Sequence, residues 1–194
     1  AGVRRVEALR DRQLNDYLKN KEKLSSISSE KNDEIIKDLT QQIKKLGGKP
    51  KLEELDQKII IKNLTKQLET LNVSSILSDK SKNKIIDEEV KGIKIRFQSI
   101  EGLPSKELRK LVDKGKKDLG EGIVAVFAYE SDKVGVAVGV TEKLSQKYDA
   151  VEFVKVSSGI IGGKGGGGRK DFAQAGGQYS NKIEIAFKKL KELI

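Results

Sequence analysis

The apolar residues of this chain change their period near residue 84, and that change sets what it can fold into. Before it they step by three and four. Leu9, Leu14 and Leu18 share one face, followed by Ile36, Leu39, Ile43 and Leu46. The same stepping returns in Leu52, Leu55 and Ile59, then in Ile61, Leu64, Leu68 and Leu71. Such spacing draws one narrow apolar stripe along a helix. Ser28 and Ser29 offer N-caps for a helix that Gly47-Gly48 would end, and Pro50 sits where the next would begin. Two helical runs joined by GGKP predict an antiparallel, coiled-coil-like hairpin over residues 9–80. The slip from Ile59 to Ile61 predicts an irregular register there. The seam reads either as a spacer arm or as an interface between two copies of the chain.

Beyond residue 84 the pattern is that of strands. IIDEEVKGIKIRFQSI predicts a short strand, a turn at Lys91-Gly92 and a longer alternating strand. Pro104 and Ser105 open a helix with Leu108, Leu111, Val112 and Leu119 inward, closed by Gly120 and Gly122. IVAVFAY (123–129) is continuously apolar, as in a strand covered on both faces, and VGVAVGV (134–140) returns after ESDK. Residues 149–158 fit a strand by β-branching and a covering helix by position. Asn181 with Glu184 reads as a helix cap pair ahead of Ile183, Phe187, Leu190 and Ile194. The fold class expected is α/β. A helical hairpin precedes a small domain, residues 81–194, with a mixed sheet and flanking helices.

The chemistry is bounded by what is missing. There is no Cys and no His, which removes disulfides, thiolates, imidazole bases and most transition-metal sites. No stretch approaches the roughly 20 apolar residues of a membrane span. AGVRRVEALRDRQ has no apolar core of a signal peptide, and the chain has no Met, so it reads as a piece of a longer protein. Formal charge is +10, which favours an anionic partner.

IIGGKGGGGRKDFAQAGGQ (160–178) places bare backbone beside Lys164, Arg169 and Lys170. Gly163, Gly165 and Gly168 satisfy GxGxxG only because the run is so rich in glycine, and no Gly-Lys-Ser/Thr follows it. A flexible linker would be richer in serine and would not lead into a capped helix. The reading kept is close backbone approach to a bulky anion, since glycine removes Cβ and exposes N–H donors. Lys106, Arg109, Lys110, Lys114, Lys116 and Lys117 form a second basic strip, which alone is equally well a solvated helix face.

GGKGGGGRKDFAQAGGQ, with GVTEKL, IVAVFAY, ELRKLVDKGKKDLG and VKGIKI upstream, resembles the C-terminal domain of the alanyl-tRNA synthetase family over residues 82–194. GVRRVEA (2–8) is similar to the end of that family's editing domain, so residues 1–8 are read as its remnant. The resemblance implies a cytoplasmic parent ligase that joins alanine to its tRNA with ATP and Mg and edits with zinc. It implies that this region lacks the catalytic and editing sites, holds no cofactor or metal and is inactive alone. Its implied role is to bind the outer corner of the alanine tRNA, so that one tRNA reaches both active sites, and to support oligomerisation. Its partners would be that tRNA, the upstream domains and a second copy through the arm. The residues implied to meet RNA are Gly162, Gly163, Lys164, Gly165, Gly166, Gly167, Gly168, Arg169 and Lys170, with Gln174, Gly176, Gly177, Arg109 and Lys110 beside them. The run has one glycine more than the family's shorter form, and Lys170 stands where proline is common. The same fold accompanies DHH-type phosphoesterases, the alternative reading, but their glycine motif usually carries a histidine that this chain lacks.

Overall fold

The computed structural model describes residues 10–194, so Leu9 and the 1–8 segment lie outside the described residues. Proximity divides the chain into two compact units, one up to Asn72 and one from Val73 to Ile194.

In the first unit α1 runs unbroken over Asp11–Lys45. Ser28 and Ser29 therefore lie inside a helix and do not start one. No Gly or Pro interrupts residues 11–45. A propagating helix crosses serines at a cost of about a few tenths of a kcal/mol each. Gly47, at φ 75°, ends α1 as expected. The next helix does not begin at Pro50. The residue before a proline is pushed to extended backbone, and α2 (Gln57–Ser78) starts only at Gln57. Asp56 sets that start, accepting from the backbone N–H of Lys58 at 2.7 Å and of Ile59 at 3.4 Å. Leu52, Leu55 and Ile59 consequently leave the seam and are exposed.

The hairpin itself is present. Gln57 meets the Ser29, Asn32 and Asp33 side chains, while Gly48 packs against Ile43 and Leu71, so α1 and α2 run antiparallel. Ile43 and Leu64 are fully buried at its centre.

The second unit is built on β1 (Asn83–Val90), β2 (Ile93–Glu101), α3 (Leu108–Leu119), β3 (Ile123–Glu130), β4 (Lys133–Val140), α4 (Ala150–Ile160), β5 (Gly166–Arg169), β6 (Phe172–Gly177) and α5 (Ile183–Glu192). Lys91 and Gly92, both at positive φ, form the two-residue turn that the sequence predicts. The sheet order is β1-β2-β3-β4-β6-β5. Only β2 and β3 are parallel, and α3 is their crossover. Alternation sorts the core into two layers. Phe97, Phe127, Val136 and Val138 face α4 and α5, whereas Ile100, Val124, Val126 and Ala137 face α3 and the last turns of α2.

One open alternative is decided for the helix, and one local expectation is corrected. Residues 150–160 are helix, capped by Asp149, whose carboxylate accepts from Val151 N–H at 2.8 Å. Asn181 and Glu184 do not form a cap pair. Asn181 sits in a 3-10 turn ahead of α5, and Glu184 is drawn to Lys84 of β1 at 3.2 Å.

Candidate nucleic-acid interface

Only the first part of the glycine stretch, residues 161–165, is turn and loop. Gly166–Arg169 is the edge strand β5, and AQAGG belongs to its antiparallel partner β6. Lys170 and Asp171 form the two-residue turn between them. No strand signal is readable here, because glycine carries no β propensity. Pairing supplies what propensity does not, and α4 covers one face of the pair.

Most of these glycines answer to a neighbour. Gly162 lies against the Tyr179 ring, Gly163 against the Gly176 carbonyl oxygen and the Ser158 hydroxyl, and Gly177 against Ile161. Gly166 fits over Val154 and Ala175, and Gly168 over Phe172 and Ala173. At these positions a Cβ would strike the protein itself. Ser158, fully buried on α4, holds the segment in place. Its hydroxyl accepts from Gly165 N–H at 3.2 Å, and its carbonyl accepts from Gly163 N–H at 2.7 Å. A Cβ on Gly165 or Gly167 would meet nothing within 4 Å, and one on Gly176 would meet only the Val134 carbonyl oxygen at 3.7 Å. Gly165 is fixed by its φ of 115°. Gly167 has ordinary strand backbone and open space, so its bareness serves nothing inside the fold.

The open glycines share a face. Gly167 pairs with Gln174, Gln174 with Ala137, and Gly176 with Gly135. Ala137 belongs to the layer under α3, so all of these look toward that side. α3 covers β3 and β4 there but stops short of β6 and β5. What remains is a groove of ≈ 640 Å³ whose floor alternates bare glycine backbone with Phe172, Gln174 and Ala175. Gly165, Gly166, Gln174 and Gly176 line it, with Ser105, Lys106 and Arg109 along the opposite wall. The Arg109 guanidinium lies 5.2 Å from the centre of the Phe172 ring and 4.0 Å from the Asp113 carboxylate, which together hold it at the rim. Lys116 ties α3 to the β5–β6 turn through the Asp171 carbonyl at 3.3 Å.

The residues singled out from sequence are thus only partly gathered. Arg109 joins Gly165, Gly166, Gln174 and Gly176. Gly162, Gly163, Gly168 and Gly177 have a packing reason to be glycine, because a Cβ there would meet the fold before any ligand. Lys110 does not line the groove and pairs with Glu107 at 2.8 Å. Lys164 is exposed and makes no ion pair among the described residues. Arg169 and Lys170 are exposed too, but Arg169 is engaged by Asp171 through two hydrogen bonds of 3.0 and 3.3 Å. Those hydrogen bonds, ahead of the guanidinium charge, hold the Asp171 carboxyl below the usual carboxylate range. Sequence reasoning missed Phe172, Ser105 and Gly135. The readable signal was the glycine in VGVAVGV: small residues on one strand face mark close approach from that side. A Cβ on Gly135 would come within 2.8 Å of Ser105 Oγ.

Comparison with known proteins agrees with this architecture. Residues 92–194 match the family described as the DHHA1 domain. The alanine–tRNA ligase of Parvibaculum lavamentivorans is 44% identical over 108 residues, 55% of this chain and 12% of the relative. That of Nitrobacter winogradskyi is 36% identical over 187 residues, 96% of this chain and 20% of the relative. This chain therefore spans about a fifth or less of those proteins. Among solved structures, the C-Ala domain of Aquifex aeolicus alanyl-tRNA synthetase superposes with a TM-score of 0.53 at 31% identity, covering 56% of this chain and 96% of that one.

Proposed function

This chain belongs to the DHHA1 domain family, and from that premise we propose that it is the C-terminal tRNA-binding region of an alanine–tRNA ligase. The parent would join alanine to tRNA with ATP, and this region would hold the corner of the tRNA so that one molecule reaches both the aminoacylation and the editing sites. The observation that carries the reading is the glycine-rich groove over β6 and the start of β5, beside Arg109 and Lys106, with Gly167 open on the same face. A sheet face thinned by glycine admits a bulky surface, and cations at its wall neutralise phosphates.

Two variants separate this from a structural role. Gly167→Val should leave stability within roughly 0.5 kcal/mol, since the site is open and extended. It should weaken tRNA binding at least about tenfold by lifting the ligand off the open face of β5 beside the groove. Arg109→Ala with Lys164→Ala should weaken binding and flatten the plot of log affinity against log salt by about 1.5. Titrations of a tRNA at several salt concentrations read both. Unchanged affinity in Gly167→Val would remove the open face of β5 from the interface, and an unchanged salt slope would remove the two cations.

The arm supports a second part of the proposal. Leu14, Tyr17, Leu18, Leu24 and Ile27 of α1 are all exposed, and Tyr17 and Leu24 are one heptad apart. A second copy would cover this stripe. Sedimentation should then show mass rising with concentration, and Leu24→Glu should abolish the rise. A monomer at every concentration would reduce the arm to a spacer.

A further inference from the structure

A second cavity, of ≈ 290 Å³, opens on the other face of the sheet, the one that carries α5. Sheet register builds its floor. Lys84 of β1 and Ser99 of β2 are direct cross-strand partners, and Tyr129 of the neighbouring strand β3 stands opposite Glu101. Alternation puts all three on the same face as Phe97 and Phe127. The roof is the 3-10 turn Ser180–Lys182 and the start of α5, which contribute Ser180, Asn181 and Glu184. Lys82 adds a second ammonium.

The mark of this cavity is polar chemistry without partners. Among the described residues, the hydroxyls of Ser99, Tyr129 and Ser180, the Asn181 amide and the Lys82 ammonium have no side-chain hydrogen bond or ion pair. Lys84 is held at 3.2 Å by Glu184, the one carboxylate in the lining. Two ammonium groups and one carboxylate line the cavity, Lys82 also acting on Asp79 just outside the lining, and neutral donors stand on both the sheet and the roof. An apolar occupant would leave those donors unpaired, which is costly. A cation would meet the two ammonium groups of the lining. A tetrahedral oxyanion satisfies ammonium, hydroxyl and amide donors together and gains the strength of charge-assisted hydrogen bonds. The volume is at the small end of ligand cavities, about 300 Å³.

We propose that this cavity binds a phosphate group, carried either by a small phosphate ester or by an RNA backbone. Glu184 competes with the phosphate for Lys84, so binding moves Lys84 Nζ from the carboxylate to the ligand. The site uses none of the residues of the glycine groove and stands whether or not that groove binds tRNA.

The test is amide NMR on the full chain, titrated first with inorganic phosphate and then with tRNA. Phosphate should shift the Ser180, Asn181 and Glu184 amides and leave Gly167 unmoved. Lys84→Met should weaken that effect about tenfold, the loss expected for one charge-assisted contact. Glu184→Gln should tighten it, an outcome that a merely damaged fold cannot produce. If tRNA shifts the same amides and Lys84→Met weakens its binding, the phosphate belongs to RNA. If only inorganic phosphate shifts them, a small ester is the source. Absence of shifts with both probes, or shifts that persist in Lys84→Met and do not change in Glu184→Gln, overturns the proposal.

Discussion

Gly163→Val should destabilise the α/β unit by about 3 kcal/mol or more, the upper range for overpacking a closed site. A Cβ there would fall on the Gly176 carbonyl oxygen and the Ser158 hydroxyl. Neither has room to move. Ser158 is fully buried, and the segment around Gly176 is tied down because Gln178 and Tyr179 N–H both donate to the Ile161 carbonyl, at 2.7 and 2.9 Å. Two backbone stretches cross at contact distance here, and the crossing sets where β5 and β6 lie relative to α4. The urea midpoint should fall by roughly 1–3 M, given slopes of about 1–3 kcal/mol per molar. Gly167→Val, on the same short stretch, should leave that midpoint almost unmoved. A small shift in Gly163→Val would mean that the crossing relaxes freely. The glycines would then all be candidates for ligand contact again.

That contrast bears on what the sequence could and could not disclose. The change of period near residue 84 was enough for the helical hairpin, the β1–β2 turn at Lys91-Gly92 and the buried strand IVAVFAY. In each of these, side chains carry the pattern that burial requires. The glycine stretch has no side chains to pattern, so its pairing as β5 and β6 depends on partners distant in sequence and was invisible. The same is true of the role of each glycine. Gly163 and Gly167 are identical letters, and only the neighbours at Gly176 and Ser158 separate a packing residue from a bare surface. Cation placement failed for a related reason. Lys110 and Arg109 are adjacent in sequence, yet one turns to Glu107 while the other lies over Phe172 beside the groove. Helix starts were misread at Ser28 and Pro50 because cap chemistry is degenerate: many serines and prolines qualify, and Asp56 won by actually bonding the free N–H groups of α2.

Phe187→Ala should cost about 3–5 kcal/mol, the range for removing a buried aromatic ring. Phe187 is the ring through which α5 grips the sheet. It stands 4.8 Å from the Phe97 ring and 5.1 Å, edge-on, from Phe127. Those distances suit the tilted and T-shaped arrangements that aromatic pairs prefer. The ion pairs beside it, Lys84–Glu184 and Lys191–Glu88, are partly exposed, and each contributes at most about 1 kcal/mol. They orient α5 more than they hold it. Ile183 and Leu190 are already buried in contacts of their own, so neither is free to fill the void. Denaturation of Phe187→Ala should therefore show a much larger loss than denaturation of Glu184→Gln. The variant also divides the two faces of the sheet. With α5 loosened, the roof over Lys84, Ser99 and Tyr129 is lost and phosphate binding there should fail. The glycine groove lies beside α3 on the opposite face, and at temperatures where the variant is still folded it should keep its tRNA affinity. Loss of both together would mean that the faces are coupled through the sheet and that α5 supports the groove as well as the cavity.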